Sequence, residues 1–476
     1  MQIGRVSCAV LVPELKDFFD NKSIQVAKLA QAADWVIEKL EKNGEAYLVG
    51  GVVRDLLLKR PIHDVDITTS LKPQDVLDIF STQEGNDDFT TCSVILTGIK
   101  HGTVTVVVDG VPVEVTTYRV DGAYSDGRHP DSVHFTTSLE EDLARRDFTI
   151  NAMAMSRRGE LFDYFGGLED LEKGLIRAVG DPNLRFNEDA LRILRGARFA
   201  NRLNFRIEEN TLASMRQNRE LLHAISRERI ASELLSMIMD NPDGVTRLHE
   251  WGILEVVYPE LNNCFLCEQN MIWHRLDVGR HSVEAMHAHP DLTFRVACLL
   301  HDVGKPDSKT IDDEGKSHFY GHAKLSYEIS KTLLRDFFLP KDQRRLIAQA
   351  VYLHDFLSTR PGRLARLLRE EGAEVLELVF RVKRADVMAQ SSYQREEKLA
   401  LIDEQEALIK GFMKGPYRLQ DLEVDGSDLV KIGYQGPEIQ DALNEILVFV
   451  MERPERNERA YLLERAERIF LRRSKN

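Results

Sequence analysis

Apolar residues follow a helical period near the start of the chain and a strand-like pattern just after it. The apolar positions of residues 26–42 recur every three or four residues, which predicts an amphipathic helix. Short apolar runs rich in valine and threonine dominate residues 46–120. They predict the strands Tyr47–Val49, Val65–Thr68, Val94–Thr97, Thr103–Val108 and Val113–Tyr118, with Asp109 and Gly110 as a hairpin turn between the last two. A mixed α/β domain over residues 26–155 follows from this pattern.

Helical periodicity takes over in the second part of the chain. From Asn187 to the end, apolar residues recur at helical spacing almost everywhere, without a fixed-period repeat. The turn-rich segments Asn241–Gly244 and Gly411–Gly415 are the best boundaries within this part. With 476 residues the chain is too long for one core, so we expect three or four domains.

Composition narrows the class of protein. The chain is 43% hydrophobic and 29% charged, with a mean hydropathy of −0.30. No apolar stretch approaches the ~20 residues that a membrane-spanning helix needs. The short apolar run Cys8–Val12 has no cationic segment before it and gives way to charged residues, so no signal peptide is indicated. We therefore expect a cytoplasmic protein with no membrane partner; the sequence leaves its oligomeric state open.

Cysteines and charge clusters give weaker signals. Five cysteines in a chain of this length do not indicate a disulfide framework. Cys264 and Cys267 have a metal-like spacing but no second pair, so two semi-buried thiols are favoured over a zinc site.

The net charge of −14 opposes nucleic-acid binding overall, and local clusters of basic residues matter more than this total. Two arginine series recur at helical spacing: Arg192, Arg195, Arg198 and Arg202, and Arg360, Arg363, Arg366 and Arg369. The second series fits a solvated helix face as well as an RNA contact.

The strongest chemical signal lies where a predicted strand runs into two glycines. Gly50 and Gly51 follow the strand Tyr47–Val49, and glycines at such a turn let the backbone N–H groups approach a phosphate. Asp64 and Asp66 lie two residues apart, so in a strand their carboxylates share one face and repel each other unless a cation lies between them. The combination indicates metal-dependent nucleotidyl transfer.

Glu114 is the candidate for a third carboxylate. It interrupts the predicted strand Val113–Tyr118, and a lone charge in such a run usually lies on the solvent face of an edge strand. The nearby Asp64 and Asp66 favour a metal role instead, because a clamp on two cations needs further acidic ligands. We therefore expect Glu114 to assist at the metal site.

Further motifs make the chain resemble a known family. They are Arg145–Met153, Phe165–Leu171 and Glu188–Arg198, and together with the glycine and aspartate segments they span residues 46–204. The set resembles that of class II tRNA nucleotidyltransferases, the CCA-adding enzyme family within the polymerase β-like superfamily. The resemblance implies an α+β fold, in which a nucleotidyltransferase head with a small mixed β-sheet is followed by mainly α-helical domains.

The resemblance also implies roles for residues of the head. Asp64 and Asp66 would hold two Mg²⁺ ions with Glu114 assisting, one ion activating the RNA 3′-hydroxyl and the other neutralising the triphosphate and the leaving pyrophosphate. Arg146 and Asp147 match the motif that recognises the ribose. The expected triphosphate contacts are Gly50, Gly51, Arg54, Arg195 and Arg198.

Asp189 and Arg192 match the family's base-reading motif. Placed three residues apart on one helix they would lie side by side, with Asp189 accepting hydrogen bonds and Arg192 donating them. Cytosine and adenine both present an amino donor beside a ring-nitrogen acceptor, whereas uracil and guanine present the reverse. The pair could therefore select CTP and ATP without a nucleic-acid template. Outside this motif, the spacing would predict only a surface ion pair.

Related activities remain open at this point. The segment Asp121–Pro130 is similar to the family's flexible loop, which is associated with the change from C to A addition, so complete CCA addition is favoured. An A-adding enzyme shares the same motifs. Bacterial poly(A) polymerases do so too, but they usually carry a strongly basic tail, whereas here only Arg472, Arg473 and Lys475 are basic at the end of the chain. An RNA 3′-end phosphohydrolase whose head only docks tRNA is the alternative of another class.

A second constellation lies in the helical part. The run Leu299–Pro306 contains the adjacent pair His301 and Asp302 and resembles the signature of the HD phosphohydrolase superfamily. Imidazole and carboxylate ligands suit Mn²⁺, Ni²⁺, Fe²⁺ or Mg²⁺. HD domains fused to this family are associated with 2′,3′-cyclic phosphodiesterase, 2′-nucleotidase and phosphatase activity; a metal site kept only for structure is the competing interpretation. The implied ligands are His281, His301, Asp302, His322, His354 and Asp386.

The resemblances together give a domain plan and a function. Gly436 and Pro437 lie in a segment similar to an RNA-binding tail, where a helix start offers free N–H groups to a phosphate. The plan is an N-terminal arm at 1–25, the head at 26–155, a helical neck for base selection at 156–240, an HD domain at 241–390 and a tRNA-binding tail at 391–476. The expected function is template-independent addition of CCA to the 3′ end of tRNA from CTP and ATP.

Overall fold

The structure is a computed structural model that describes residues 24–81, 91–96, 98–99, 102–122, 133–270 and 272–473. Within it the chain forms two compact units. The first unit contains the described residues up to Leu234 together with Trp251–Val257, and the second contains Leu235–Glu250 and the described residues from Tyr258 onward. Nearly all of the predicted arm at 1–25 and most of the predicted loop Asp121–Pro130 lie outside the described residues.

The first unit is built around short strands and helices that alternate along the chain. Its elements begin with α1 (Ile24–Glu41), β1 (Ala46–Val49), α2 (Gly51–Leu57), β2 (Asp66–Thr69), α3 (Pro73–Ser81), β3 (Cys92–Ile95), β4 (Thr103–Val108) and β5 (Val111–Thr117). They continue with β6 (Arg119–Asp121), β7 (Val133–Phe135), α4 (Leu139–Ala144), β8 (Met153–Met155), β9 (Leu161–Asp163), α5 (Gly167–Lys173) and β10 (Leu175–Ile176). The predicted first helix and the five predicted strands are therefore confirmed, with ends that differ by at most two residues.

A seven-stranded mixed sheet forms the centre of this unit. Its strands lie in the order β3-β4-β5-β2-β1-β8-β9. β2 and β5 run parallel, whereas the other neighbouring pairs are antiparallel. Asp109 and Gly110 join β4 to β5 with φ of 48° and 80°, the two positive values that a type I′ hairpin turn requires. Val104, Val106 and Val108 of β4 are buried at alternate positions, so the apolar period of the sequence defines the core face of the sheet.

Helices follow the sheet, and the chain passes three times between the units. The next elements are α6 (Pro182–Glu188), α7 (Leu191–Leu203), β11 (Arg206–Ile207), α8 (Glu209–Gln217), α9 (Arg227–Asp240), α10 (Asp243–Glu250) and α11 (Leu254–Val257). The first passage occurs within α9; α10 belongs to the second unit, and α11 belongs to the first. Two contacts hold Trp251–Val257 in the first unit. Arg219 forms an ion pair with Glu255 at 2.7 Å, and Arg227 Nη1 donates a hydrogen bond to the carbonyl of Val257 at 2.5 Å.

The second unit is almost entirely helical, as its periodicity predicts. Its further elements are α12 (Pro259–Phe265), α13 (Val278–Met286), α14 (Leu292–Leu300), α15 (Lys305–Ser308), β12 (Thr310–Ile311), β13 (Ser317–His318), α16 (His322–Asp336) and α17 (Lys341–Leu353). They end with α18 (Pro361–Glu371), α19 (Ala373–Ala389), α20 (Arg395–Met413), α21 (Gly426–Ile432), α22 (Pro437–Glu452) and α23 (Arg459–Arg473). Helices α13, α14, α17 and α19 pack against one another. A mixed sheet followed by helices confirms the predicted α+β class.

The turn-rich segments that the sequence predicted as boundaries lie at helix ends, and the domain plan itself stays a prediction. The predicted boundary Asn241–Gly244 falls where α9 ends and α10 begins, and Gly411–Gly415 spans the end of α20. Gly436, with φ of 53°, precedes Pro437 at the first position of α22, which confirms the predicted helix start. No helix among the described residues is both long enough and apolar enough to cross a membrane.

Candidate active sites

The carboxylates of the first candidate site lie where β2 and β5 run parallel. Asp66 is the first residue of β2 and pairs in register with Glu114 of β5. Asp64 lies before the strand, so the predicted placement of both aspartates within one strand is wrong. The reason is that the neighbouring strands offer ladder partners only from Asp66 on one side and from Ile67 on the other.

The three carboxylates still act on one another electrostatically. Burial and the negative charges of Asp64 and Glu114 raise the pKa of Asp66 to about 6, and the Arg146 guanidinium opposes this rise. Among the described residues, the oxygens of these three side chains do not all lie within 4.8 Å of one another. Carboxylate oxygens that repel one another around a half-buried aspartate suit Mg²⁺, which prefers oxygen ligands.

The glycine turn approaches this cluster closely. Gly50 has φ of 79°, a conformation that favours glycine, and it caps α2 at Gly51. A Cβ atom at Gly50 would lie 3.1 Å from Arg146 Nη1 and 4.0 Å from Asp66 Oδ2. The absence of a side chain therefore keeps the space between the turn and the cluster clear.

A buried hydrogen-bond network joins three of the sequence motifs. Arg54 donates to both oxygens of Asp55 at 3.0 and 2.8 Å and to Asn151 Oδ1 at 2.7 Å. Asn151 Nδ2 donates to Asp147 Oδ1 at 3.2 Å, and Arg195 Nε donates to Asp147 Oδ2 at 2.8 Å. Burial alone would raise the pKa of Asp147, but the Arg195 charge lowers it. Arg54 is thus buried and held by three hydrogen bonds, so the implied triphosphate contact would use the other two of its five N–H groups.

Three guanidinium groups surround one aromatic ring on α7. Those of Arg54, Arg195 and Arg198 lie 5.2, 5.3 and 4.6 Å from the ring centroid of Phe199. Arg198 Nε also donates to Glu233 at 2.6 Å. The structure therefore gathers the three predicted triphosphate arginines around Phe199, a residue that the sequence did not single out.

Asp189 and Arg192 do not lie side by side on one helix as predicted. Asp189 has extended backbone angles between α6 and α7, where its Oδ1 accepts the N–H of Leu191 at 3.0 Å. Its Oδ2 accepts from Arg229 at 2.8 Å. The physical reason is that the Asp189 carboxylate accepts the N–H of Leu191, a group that the helix leaves without an internal partner, and the helix begins only at Leu191.

Arg192 is held by other groups. Its Nη1 donates to Glu188 at 2.6 Å and to the carbonyl of Arg185 at 3.2 Å, and its Nη2 donates to the carbonyl of Arg145 at 3.1 Å. The side chain is buried. Its guanidinium is therefore fixed in direction, and Glu188, not Asp189, is the carboxylate that it contacts.

The raised pKa of Asp66 predicts that cation binding at this site depends on pH. A protonated carboxyl group is a poor ligand, so Mg²⁺ affinity should fall as the pH drops from neutral through about 6. Calorimetric Mg²⁺ titrations across this range measure the effect, with Asp302→Ala as the background to remove binding in the second unit. The Asp66→Asn variant should bind Mg²⁺ more weakly than wild type at every pH, and its affinity should no longer change over this pH range. An affinity that stays constant across the range would contradict the prediction.

The second unit brings together all six residues implied as HD ligands. They form two groups in which the ligand atoms lie within 4.8 Å of one another: His281, His301, Asp302 and Asp386, and Asp302, His322 and His354. Asp302 belongs to both groups. Its Oδ2 lies 3.1 Å from His301 Nε2, while its Oδ1 lies 3.4 Å from His322 Nε2 and 3.5 Å from His354 Nε2.

The histidine rings are oriented as metal ligands usually are. Backbone carbonyls contact Nδ1 of three of them, at 2.7 Å (His301 with Cys298), 2.9 Å (His322 with Phe319) and 2.7 Å (His354 with Val351). Each carbonyl belongs to the residue three positions before the histidine. This contact fixes the ring and leaves Nε2 as the ligand atom, which is the arrangement that favours metal binding.

Buried polar atoms at the centre of the cluster fit a divalent cation. His301 Nε2 and both oxygens of Asp302 are buried without a well-formed hydrogen bond, although Lys305 Nζ lies 2.6 Å from Asp302 Oδ2. Burial alone would lower the pKa of His301, but Asp302 and Asp386 raise it to about 10. Asp302 and Asp386 thus favour a positive charge at this position, and a divalent cation can supply that charge.

A cavity of about 360 Å³ opens beside this cluster. Lys305 and His274 line it, and the sequence reasoning missed both. Lys305 also donates to Gln269 Oε1 at 2.9 Å. The sequence could have indicated Lys305 as a site residue, because it lies three residues after Asp302 in the same motif. His274 offered no spacing signal. Burial, Lys305 and His281 lower its pKa to about 3, so it lines the cavity as a neutral ring.

Cys264 and Cys267 are more deeply buried than the sequence predicted. Both are free thiols, buried rather than semi-buried, and neither belongs to a ligand group among the described residues. Burial raises the pKa of both thiols, which disfavours the thiolate that zinc requires.

Family profiles match three consecutive parts of the chain. The poly A polymerase head domain matches residues 46–177, the probable RNA and SrmB-binding site of polymerase A matches 204–265, and the HD domain matches 273–390. The first match contains the glycine turn and the carboxylates, and the third contains all six HD ligands.

Whole proteins give a consistent picture. Over 218 residues the chain is 49% identical to the CCA-adding enzyme of Lactobacillus delbrueckii subsp. bulgaricus, covering 46% of this chain and 52% of that protein. Over 205 residues it is 50% identical to the CCA-adding enzyme of Enterococcus faecalis, covering 43% and 48%. These matches span about half the length of the relatives. The solved structure of the Bacillus stearothermophilus CCA-adding enzyme in complex with CTP is similar over 94% of this chain and 98% of that one, with 30% identity and a TM-score of 0.67.

Proposed function

Because the chain belongs to the family of CCA-adding enzymes, we propose that it adds CCA to the 3′ end of tRNA from CTP and ATP without a template. The observation that carries this proposal is the electrostatic coupling of Asp64, Asp66 and Glu114 beside the glycine turn at Gly50. The similarity to a CTP-bound CCA-adding enzyme along almost the whole chain supports it.

In this proposal Asp64 and Asp66 hold two Mg²⁺ ions with the help of Glu114. Bound Mg²⁺ would lower the pKa of the RNA 3′-hydroxyl and neutralise the triphosphate. The protein itself positions the reactants: Gly50 and Gly51 let the triphosphate approach the backbone, and the ribose meets Arg146 and Asp147. The bond from Arg195 to Asp147 keeps that carboxylate ionised and fixed in place.

Base selection rests on rigid side chains at the start of α7. Arg192 is anchored by three acceptors, so its remaining N–H groups can be presented in a fixed direction. Asp189 is held by Arg229 and by the helix N-terminus. We propose that these two side chains read the base, each from its own anchor rather than as an ion pair. Fixed groups suit template-independent selection because they cannot rotate to accept uracil or guanine.

The second unit is proposed to carry a phosphohydrolase site. The two ligand groups that share Asp302 beside an open cavity favour this over a metal held only for structure. The proposed metal is a divalent transition ion or Mg²⁺, which would polarise a phosphoryl oxygen. Lys305 keeps Asp302 ionised, and the substrates proposed are RNA ends with a 2′,3′-cyclic or terminal phosphate.

One incubation tests the main proposal. Purified protein is mixed with tRNA ending at the discriminator base, Mg²⁺, and each nucleoside triphosphate singly and together, and the products are resolved at single-nucleotide length. Addition of C, C and then A is expected. Addition of A only to tRNA that already carries CC would indicate an A-adding enzyme, and long runs of A would indicate a poly(A) polymerase. No incorporation would overturn the proposal.

A further inference from the structure

One tyrosine stands exposed at the wall of the HD cavity. Tyr320 is 80% exposed, the highest fraction among the large hydrophobic side chains that the structure describes. It lines the cavity together with Asp302, His322 and Asp386. Single exposed aromatic residues are common on protein surfaces, so exposure alone carries no inference. Tyr320 differs from such residues because a second ring, that of His318, stacks against it.

Tyr320 rests on a second ring that is itself fixed. His318 stacks with it at a centroid distance of 5.4 Å and an interplanar angle of 6°. His318 Nε2 lies 2.7 Å from Asp312 Oδ2, and Asp312 Oδ1 accepts the backbone N–H groups of Glu314 at 3.1 Å and Lys316 at 2.8 Å. The hairpin of β12 and β13 thereby holds His318, and His318 supports one face of Tyr320. The high exposure leaves the other face open.

The same short segment ties the exposed ring to the metal ligands. The carbonyl of Phe319 contacts His322 Nδ1 at 2.9 Å, and the Phe319 ring lies 5.5 Å from Lys305 Nζ. Gly321, with φ of 76°, allows the turn from Tyr320 into α16. Tyr320 is therefore held at a set position beside the cluster, with an open aromatic face.

We propose that Tyr320 is a stacking platform for the nucleobase at the 3′ end of an RNA substrate of the HD site. This inference rests on the proposed phosphohydrolase function and names the residue that recognises the terminal base of its RNA substrate. Every base has a π face, so a platform of this kind accepts any terminal nucleotide. Stacking on an aromatic side chain contributes roughly tenfold in affinity per base.

A kinetic comparison tests the platform. Hydrolysis of adenosine 2′,3′-cyclic phosphate is compared with that of methyl riboside 2′,3′-cyclic phosphate, which lacks the base, in the presence of Mn²⁺. Tyr320→Ala should raise KM for the adenosine compound roughly tenfold and leave the kinetics of the base-free compound unchanged. Tyr320→Phe should behave as wild type because the ring is kept. Tyr352→Ala is the matched control, since Tyr352 is 45% exposed in the same unit but does not line the cavity.

A binding measurement gives a readout besides activity. The fluorescence of 2-aminopurine riboside 3′-monophosphate should be quenched by stacking in wild type and Tyr320→Phe, with part of the quenching lost in Tyr320→Ala. Identical titration curves for wild type and Tyr320→Ala would overturn the platform. If wild type hydrolysed neither cyclic phosphate, the proposed activity would fail while the titration still decided the role of Tyr320. If it hydrolysed both and Tyr320→Ala changed neither, the platform alone would fail.

Discussion

Replacement of Asp64 or Asp66 by alanine is expected to reduce nucleotide incorporation into tRNA by roughly 10³-fold or more, because the cations that these carboxylates are proposed to hold would stabilise the transition state by several kcal/mol. Hydrolysis in the second unit should be unchanged. The measurement is single-turnover incorporation of CMP into tRNA lacking CCA, with cyclic-phosphate hydrolysis followed in parallel. Glu114→Gln should have a smaller effect, since Glu114 is exposed and only assists.

The thermal unfolding temperature of the variants is the control for this prediction. Burial and its charged neighbours disfavour the ionised form of Asp66, so Asp66→Asn should leave the thermal unfolding temperature unchanged or raised at neutral pH. Asp78→Ala, an exposed aspartate on α3, is the matched substitution that should keep full incorporation. Incorporation that survives in a folded Asp66→Ala variant would contradict the assigned role.

Asp302→Ala is expected to abolish metal binding and phosphate-ester hydrolysis in the second unit while CCA addition continues. Asp302 is shared by both ligand groups, so its loss should remove both metals, whereas His354→Ala should remove only the one held by the second group. Metal content of the purified protein, measured by mass spectrometry, and cyclic-phosphate hydrolysis test this. Asp307→Ala, an exposed aspartate five residues further on, should change neither.

The thermal stability of the Asp302 variants must be measured together with their activities. Removal of Asp302 leaves the buried Lys305 without the carboxylate that it contacts, which destabilises the second unit. Asp302→Asn keeps the volume and one acceptor and should unfold at a higher temperature than Asp302→Ala. Loss of both CCA addition and hydrolysis from a protein that remains folded would contradict two separate sites.

Local patterns explain which parts of the fold and the sites the sequence predicted. Apolar alternation determines the strands of the head, and Asp109 and Gly110 suit only a tight turn, so these elements appear almost where expected. The HD ligands meet as implied, because helices α13, α14, α16, α17 and α19 pack together and bring their motif residues into two groups.

The contacts that the sequence did not predict join residues that lie far apart along the chain. The bond from Arg54 to Asn151 joins residues 97 positions apart, and that from Arg229 to Asp189 joins residues 40 apart. Periodicity cannot show such pairings. The helix break at Asp189 was missed for a related reason: three-residue spacing between Asp189 and Arg192 fits a helix, and only the capping of Leu191 shows that the helix starts later.

The return of residues 251–257 to the first unit has a consequence for biosynthesis. The ion pair between Arg219 and Glu255 and the bond from Arg227 to Val257 cannot form until that stretch has left the ribosome. By then α10, which belongs to the second unit, has already been synthesised. The nascent first unit therefore completes its contacts only after part of the second unit has been synthesised, and a fragment that stops at Leu234 would lack a piece of the first unit.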